Sequence, residues 1–443
     1  MNRIILLGNG FDLVNDFESS YNNFLRHLRD ETIKDLEING TGNRYNNGIV
    51  DLKSIGNPIK EINHFNAIQI LFRGNNFGND IFEARICNKF LQRLIKKQRI
   101  QNWVDIEQEY YELLINIFLQ KEGFITIDEL NEDLTFITNK LIEFLKIKES
   151  KFTEKLNALD PMDSDFNKLQ NITQNLLDDI NVFHLAPKVI NQYFTMIGEE
   201  LLLNTESITE TNNKFEFKAK YKEDLSAELN EYCLNNGIEQ ARLKDVNKVL
   251  DRYEKSTSQL NELVSISPEN ILVVNFNYTN TLKLIIDWLI TMEKISTDRT
   301  KNIRILNIHG KLKSRDSIIF GFGDETDSQY SSIENSKKDD YMLNFKSINY
   351  LNSFGYRSLL EFLETENYQV YTVGLSFGQS DKTLLNTIFE HDNCVSIKPF
   401  YRKIDNDNDN YSKLAMAISR NFRSKAKLRE RVVSKVLCKS IIE

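Results

Sequence analysis

The amino-terminal run limits the fold more than any other stretch. Arg3 to Leu7 (RIILL) is apolar and ends at once in Gly8, Asn9 and Gly10, the pattern of a strand buried on both faces that stops in a glycine turn. Such a strand needs a partner on each edge, which helices cannot supply. From Tyr21 to about Val264, however, the apolar residues recur at helical spacing, as in Phe24, Leu25 and Leu28, or Leu134, Ile137, Leu141 and Leu145. That block is expected to be mostly helical, with loops at Asn39 to Gly48 and around Pro58 and Pro161. Strand-type segments return late, at Ile271 to Asn275, Ile303 to Ile308, Ser317 to Phe320, Val370 to Val373 and Val395 to Ile397. Helical sequence separates several of them, which implies a parallel sheet covered by helices. The expected class is therefore α/β: one sheet domain from residues 1–30 and 265–443, with residues 31–264 as a large helical insertion domain.

Composition supports this reading and narrows the function. Only 5 Pro and 17 Gly in 443 residues are too few for a loop-rich all-β chain or a disordered one. With 56 Lys+Arg against 64 Asp+Glu the net charge is −8, which argues against a general nucleic-acid coat. Cys87, Cys233, Cys394 and Cys438 lie far apart and form no C-x-x-C pair, so neither a zinc ribbon nor a disulfide framework is signalled. The apolar start is too short for a signal peptide. The best membrane candidate, LKLIIDWLITM, is interrupted by Asp287. A soluble cytoplasmic protein with no membrane partner is expected.

In an open parallel sheet, ligands bind beyond the carboxyl ends of the strands, so the residues after each strand are the candidates. GNGFD, Gly8 to Asp12, permits a tight turn and close approach of a diphosphate to bare N–H groups, although a turn required by geometry alone fits too. It lacks the third glycine of a dinucleotide fingerprint, and the chain has no P-loop. NFNYTN offers Asn277 and Thr279 to a ribose or a water; both residue types are also ordinary helix caps. In NIHG, His309 sits between a strand and Gly310, where a histidine can serve as a general base or simply be a satisfied structural residue. GLSFGQSD presents Ser376, Ser380 and Asp381 at the mouth of a helix.

The ordered set GNGFDL, FNYTNTL, NIHG and GLSFGQSD, with IIFGFGDE before the last, closely resembles the bacteriophage abortive-infection AbiH family. The same order is similar to the sirtuin-like NAD-binding core, a Rossmann-like fold. The resemblance covers roughly the first 25 residues and those from 270 to 390; in the insertion only NWVDIEQEY, around Trp103 to Glu107, matches AbiH-like chains. It implies a diphosphate loop at Gly8 and Gly10, Asn277 aligning the nicotinamide ribose, and His309 as general base. The implied cofactor-contacting set is Gly8, Asn9, Gly10, Phe11, Asp12, Thr279, Gly374, Ser376 and Asp381. FDLVNDF replaces the acidic-serine pattern of the sirtuin glycine loop, and a four-cysteine zinc module is missing, so protein deacylation is not implied. NAD hydrolysis to nicotinamide and ADP-ribose is, with NAD as substrate, no further cofactor and no metal. An antiviral effector would need an inactive resting state, a phage-derived trigger and an insertion that senses it or builds a homo-oligomer.

Two alternatives stay open: a sensor that binds NAD or ADP-ribose without turnover, and a nucleic-acid effector using the basic stretch Arg420 to Lys435, whose other reading is a solvated helix face. Trp103 and Glu107 share a helix face and are expected to position the insertion against the sheet domain. DNDNDN, Asp405 to Asn410, starts like a calcium loop, but Asn410 stands where a glycine is needed and Met416 where a glutamate is needed, so a solvated turn is expected.

Overall fold

The computed structural model describes residues 1–55, 58–59, 64–75, 77–79, 82–97, 103–190, 192–193, 209–211, 214–216, 265–312, 318–405 and 408–442. Its centre is a five-stranded, all-parallel sheet in a mixed α/β chain. The strands are β1 (Asn2–Leu7), β2 (Ile271–Asn275), β3 (Ile303–Asn307), β4 (Tyr368–Val373) and β5 (Cys394–Phe400), in the spatial order β3-β2-β1-β4-β5. The amino-terminal strand is thus central, buried along its whole length. Strand order reverses beside it, between the β1–β2 side and the β4–β5 side.

Alternate residues of these strands feed two cores. Ile5, Leu7, Val273, Tyr371 and Val373 pack on one side with the insertion. Ile4, Leu6, Leu272, Val274 and Val370 pack on the other against the helices Phe354–Thr365, Lys382–Glu390 and Tyr411–Arg420. Both faces are covered, which is why the strands are mainly apolar instead of alternating.

Within the insertion, the helix Ile127–Asn157 begins at a capping box between Thr126 and Glu129 and buries Leu134, Ile137, Leu141 and Leu145 along one stripe. The mostly helical block also contains a four-stranded antiparallel sheet that the sequence reading did not expect, ordered Arg44–Asn46, Val50–Ser54, Phe82–Ile86, Phe77–Asn79, so that part of the stretch Asn39 to Gly48 expected as a loop is a strand. Phe82, Ala84 and Ile86 face the core while Glu83 and Arg85 face solvent. Asn47 closes the first hairpin by accepting from the N–H groups of Ile49 and Val50, both at 3.0 Å, and Gly48 takes the left-handed conformation at φ +80°. Strands of three to five residues are too short for a periodic signal to rise above their polar turns.

The strand expected at Ser317 to Phe320 is also corrected. Ser317 lies outside the described residues, and Ile318 to Phe320 form no ladder. Ile319 N–H instead donates to the His309 carbonyl at 2.9 Å, drawing the segment across the end of β3. Among the described residues no helix is long and apolar enough to cross a membrane.

Candidate functional site

Register aligns the chemistry. Leu7 is level with Asn275 and Val373, Asn275 with Asn307, and Val373 with Phe400. All five strands therefore end in one row, and GNGFD, NFNYT, NIHG, GLS and the Tyr401–Arg402 turn emerge side by side. They frame a cleft of about 630 Å³, closed on the insertion side by Trp103, Glu107, Leu141 and Leu145.

The glycines of the first turn serve the packing of backbones. A Cβ on Gly8 would lie 2.5 Å from the Gly374 carbonyl oxygen, and one on Gly10 would lie 2.7 Å from Gly374 Cα. Gly374 itself sits at φ +64°, and a side chain there would run into Phe11 N and Gly10. Gly10 N–H donates to Gly374 O at 2.9 Å, Gly8 N–H to Val373 O at 3.0 Å and Phe11 N–H to Gly8 O at 2.9 Å. The donors that a diphosphate would need on Gly8 and Gly10 are thus already engaged. Phe11 also departs from expectation: it turns into the core with Phe17 and Phe24 and is absent from the cleft lining.

Asp12, one position further along the short helix Asn9–Val14, faces the cleft with a fully buried carboxylate. Thr279 Oγ1 donates to its Oδ2 at 2.8 Å and Asn277 Nδ2 approaches its Oδ1 at 3.4 Å. Burial pushes its pKa up to about 7, against hydrogen bonds from Thr279, Thr281 and Ser19 that favour the charged form. Asn277 is fixed at both ends: its N–H donates to Asn275 Oδ1 and its Nδ2 to Gly8 O, each at 3.1 Å. Asn275 is held in turn by Asn307 Oδ1 at 3.1 Å, so the asparagines that end β2 and β3 brace the pair. No described residue donates to Asn277 Oδ1, which leaves that acceptor for a ligand.

His309 forms the floor, and both its ring nitrogens are occupied. Nδ1 lies 3.1 Å from Phe276 O; Nε2 lies 3.0 Å from Asp381 Oδ1 and 3.1 Å from the Tyr350 hydroxyl. Asp381 caps no backbone of the helix it precedes. Instead its Oδ1 also accepts from Lys346 Nζ at 2.8 Å, and Lys346 reaches Glu107 of the inserted helix Trp103–Phe118 at 2.8 and 2.9 Å. Relative exposures of 4% for His309, 7% for Asp381, 0% for Lys346 and 5% for Glu107 put all four groups out of water. Burial alone would raise the Asp381 pKa, but Lys346 and His309 outweigh it and hold the carboxyl far below the usual range. Burial and the neighbouring Asp381 charge push Glu107 up, against the pull of Lys346. Lys346 is raised, since its two carboxylates outweigh the burial that would lower it.

Trp103 anchors the same helix, as its shared face with Glu107 implies. Its Nε1–H donates to Ser19 O at 2.8 Å and its ring packs on Tyr21 and Phe24. Asn9, whose Nδ2 donates to Ser19 Oγ at 2.7 Å, and the exposed Ser376 also line the cleft. At the outer rim stand Arg402 and Lys413, both exposed cations that no motif had singled out. Lys346, in the unremarkable segment NFKSI, was equally silent in the sequence.

In the basic stretch Arg420 to Lys435, Arg431 is buried, whereas Arg420, Arg423, Lys425, Arg429 and Lys435 are exposed. Arg431 donates to the carbonyls of Phe389 and His391, each at 2.7 Å, and so caps the end of the helix Lys382–Glu390. Lys427 pairs with Asp392, and Lys435 with Asp409. In the turn expected at Asp405 to Asn410, residues 406 and 407 lie outside the described residues, and Asp405 and Asn408 are exposed.

A family model described as bacteriophage abortive infection AbiH matches residues 4–402. No curated protein matches the chain. No solved structure matches it.

Proposed function

This chain belongs to the bacteriophage abortive infection AbiH family, and from that premise we propose that its cleft binds NAD and hydrolyses it to nicotinamide and ADP-ribose, depleting an infected cell. The family membership indicates the abortive-infection role; the NAD chemistry is read from the cleft. The observation that carries it is the placement of Asp12, with Asn277 beside it, after β1, the strand that borders the reversal of strand order where doubly wound sheets bind nucleotides. The order β3-β2-β1-β4-β5 supports reading the sheet as Rossmann-like, the class to which sirtuin-like NAD folds belong.

In this reading Asn277 Oδ1 accepts a hydroxyl of the nicotinamide ribose and fixes its orientation. The bond from ribose C1′ to the nicotinamide nitrogen breaks, its electron pair neutralising the pyridinium. Water forms the new bond to C1′ and gives its proton to Asp12, whose pKa of about 7 suits a base near neutrality. With the first-turn N–H groups engaged, Arg402 and Lys413 at the rim take the diphosphate charge. The occupied ring of His309 favours a second reading, a sensor that holds ADP-ribose without turnover.

Incubation with NAD, with products separated by chromatography, tests the first reading, and calorimetry with ADP-ribose tests the second. Equal amounts of nicotinamide and ADP-ribose are expected, and the Arg402→Ala/Lys413→Ala double variant should bind ADP-ribose roughly 10-fold or more weakly. Binding without products would leave the sensor. Neither binding nor products, with a phage-infected extract added, would refute both.

A further inference from the structure

The hydrogen bonds of His309 determine where its protons are. The Phe276 carbonyl can only accept, so Nδ1 carries a proton. An ionised Asp381 can only accept as well, so Nε2 carries one too, and the Tyr350 hydroxyl accepts beside it. The ring is therefore an imidazolium, with no lone pair to offer the cleft. The ionised state of Asp381 depends on Lys346, 2.8 Å from the same Oδ1, and Lys346 depends on Glu107 for its other partner. The remaining titratable groups near the ring are Tyr278 and Tyr350, both kept protonated by burial.

We propose that Glu107 and Lys346 are positioning residues for His309: acting through Asp381, they hold the imidazole doubly protonated and bonded away from a ligand. Without the Lys346 ammonium, the buried Asp381 carboxylate takes the Nε2 proton, and the bond between them reverses so that a neutral carboxyl donates to Nε2. One proton moves over one hydrogen bond. The insertion thereby sets the protonation of the ring at the floor of the cleft.

The test is nitrogen NMR of the full chain labelled at its five histidines, with the His309 signals identified by their loss in His309→Gln. In the unaltered protein both His309 nitrogens should be of the protonated type near pH 7. In Lys346→Met, Nε2 should change to the unprotonated type, while Lys346→Arg, which keeps the charge, should preserve the original spectrum. A purely structural lysine would not divide the two variants in this way. If Lys346→Met does not fold, the Lys346→Met/Glu107→Gln pair, which leaves no charge unpaired on the inserted helix, carries the same expectation. Glu107→Leu should move the signal in the same direction by less. An unprotonated Nε2 in the unaltered protein, or a protonated one in both Lys346→Met variants, would overturn the proposal.

Discussion

Asp12→Asn should make the protein more stable and less active, and the pH dependence of the gain identifies its cause. An Asp in the unfolded chain titrates near 3.8, whereas burial pushes Asp12 up to about 7 in the folded chain. Between those values the folded state holds more protons than the unfolded one, so stability falls as pH rises. The loss relative to the acid limit is about 2 kcal/mol at pH 5 and about 4 kcal/mol at pH 8, taking about 1.4 kcal/mol per pKa unit. Asn cannot ionise and avoids this loss. Its amide turns its oxygen to Asn277 Nδ2 and its NH2 to the Thr279 hydroxyl, and any mismatch it introduces costs the same at every pH. The variant's advantage should therefore grow by about 3 kcal/mol between pH 5 and pH 8. Urea unfolding of both proteins at the two pH values, followed by tryptophan fluorescence, measures the difference. Stability profiles that stay parallel within about 0.5 kcal/mol would mean that Asp12 is not titrating as a desolvated acid, and the argument for it as a base would fail with them. NAD turnover by the variant should fall by roughly 10² to 10⁴-fold.

Asn277→Ala should lower NAD turnover by about 10²-fold, and His309→Ala, which empties the floor of the cleft, should lower it as well; His391→Ala, whose ring lies by Glu364, Asn393 and Tyr368 away from the cleft, is the neutral control for the same product assay. Gly10→Val should act through the fold, since its side chain meets Gly374 and not a ligand: a loss of roughly 3 kcal/mol or more in urea unfolding is expected, and a normally stable variant would contradict the close packing of the two turns. Lys398, buried against Tyr371 and Phe400 with its pKa lowered to about 8 by desolvation, should be better replaced by Met: a gain of up to about 3 kcal/mol at pH 7, fading from pH 8 to 10.5 as the unaltered protein itself becomes more stable, is measurable by unfolding across that range.

The local sequence determined the sheet and its strand ends. Apolar runs of strand length closed by Gly or Asn are readable without knowing their neighbours, because burial on both faces leaves few polar residues in the central strands. Because parallel strands in register end together, GNGFD, Asn277, His309 and Gly374 could be assigned to one cleft from their order alone. The same logic could not separate Phe11 from Asp12, neighbours in one short helix of which one enters the core and the other the cleft. Nor could it find the hairpins of the insertion, whose strands are too brief for periodicity to speak. Lys346 is the plainest case. Nothing near it in sequence hints at function, and its meaning arises where Glu107, from a helix more than 200 residues away, and Asp381 converge on one ammonium. A buried charge is stable only beside its counter-charges, and since these come from separate elements, tertiary structure alone decided which protons the cleft contains.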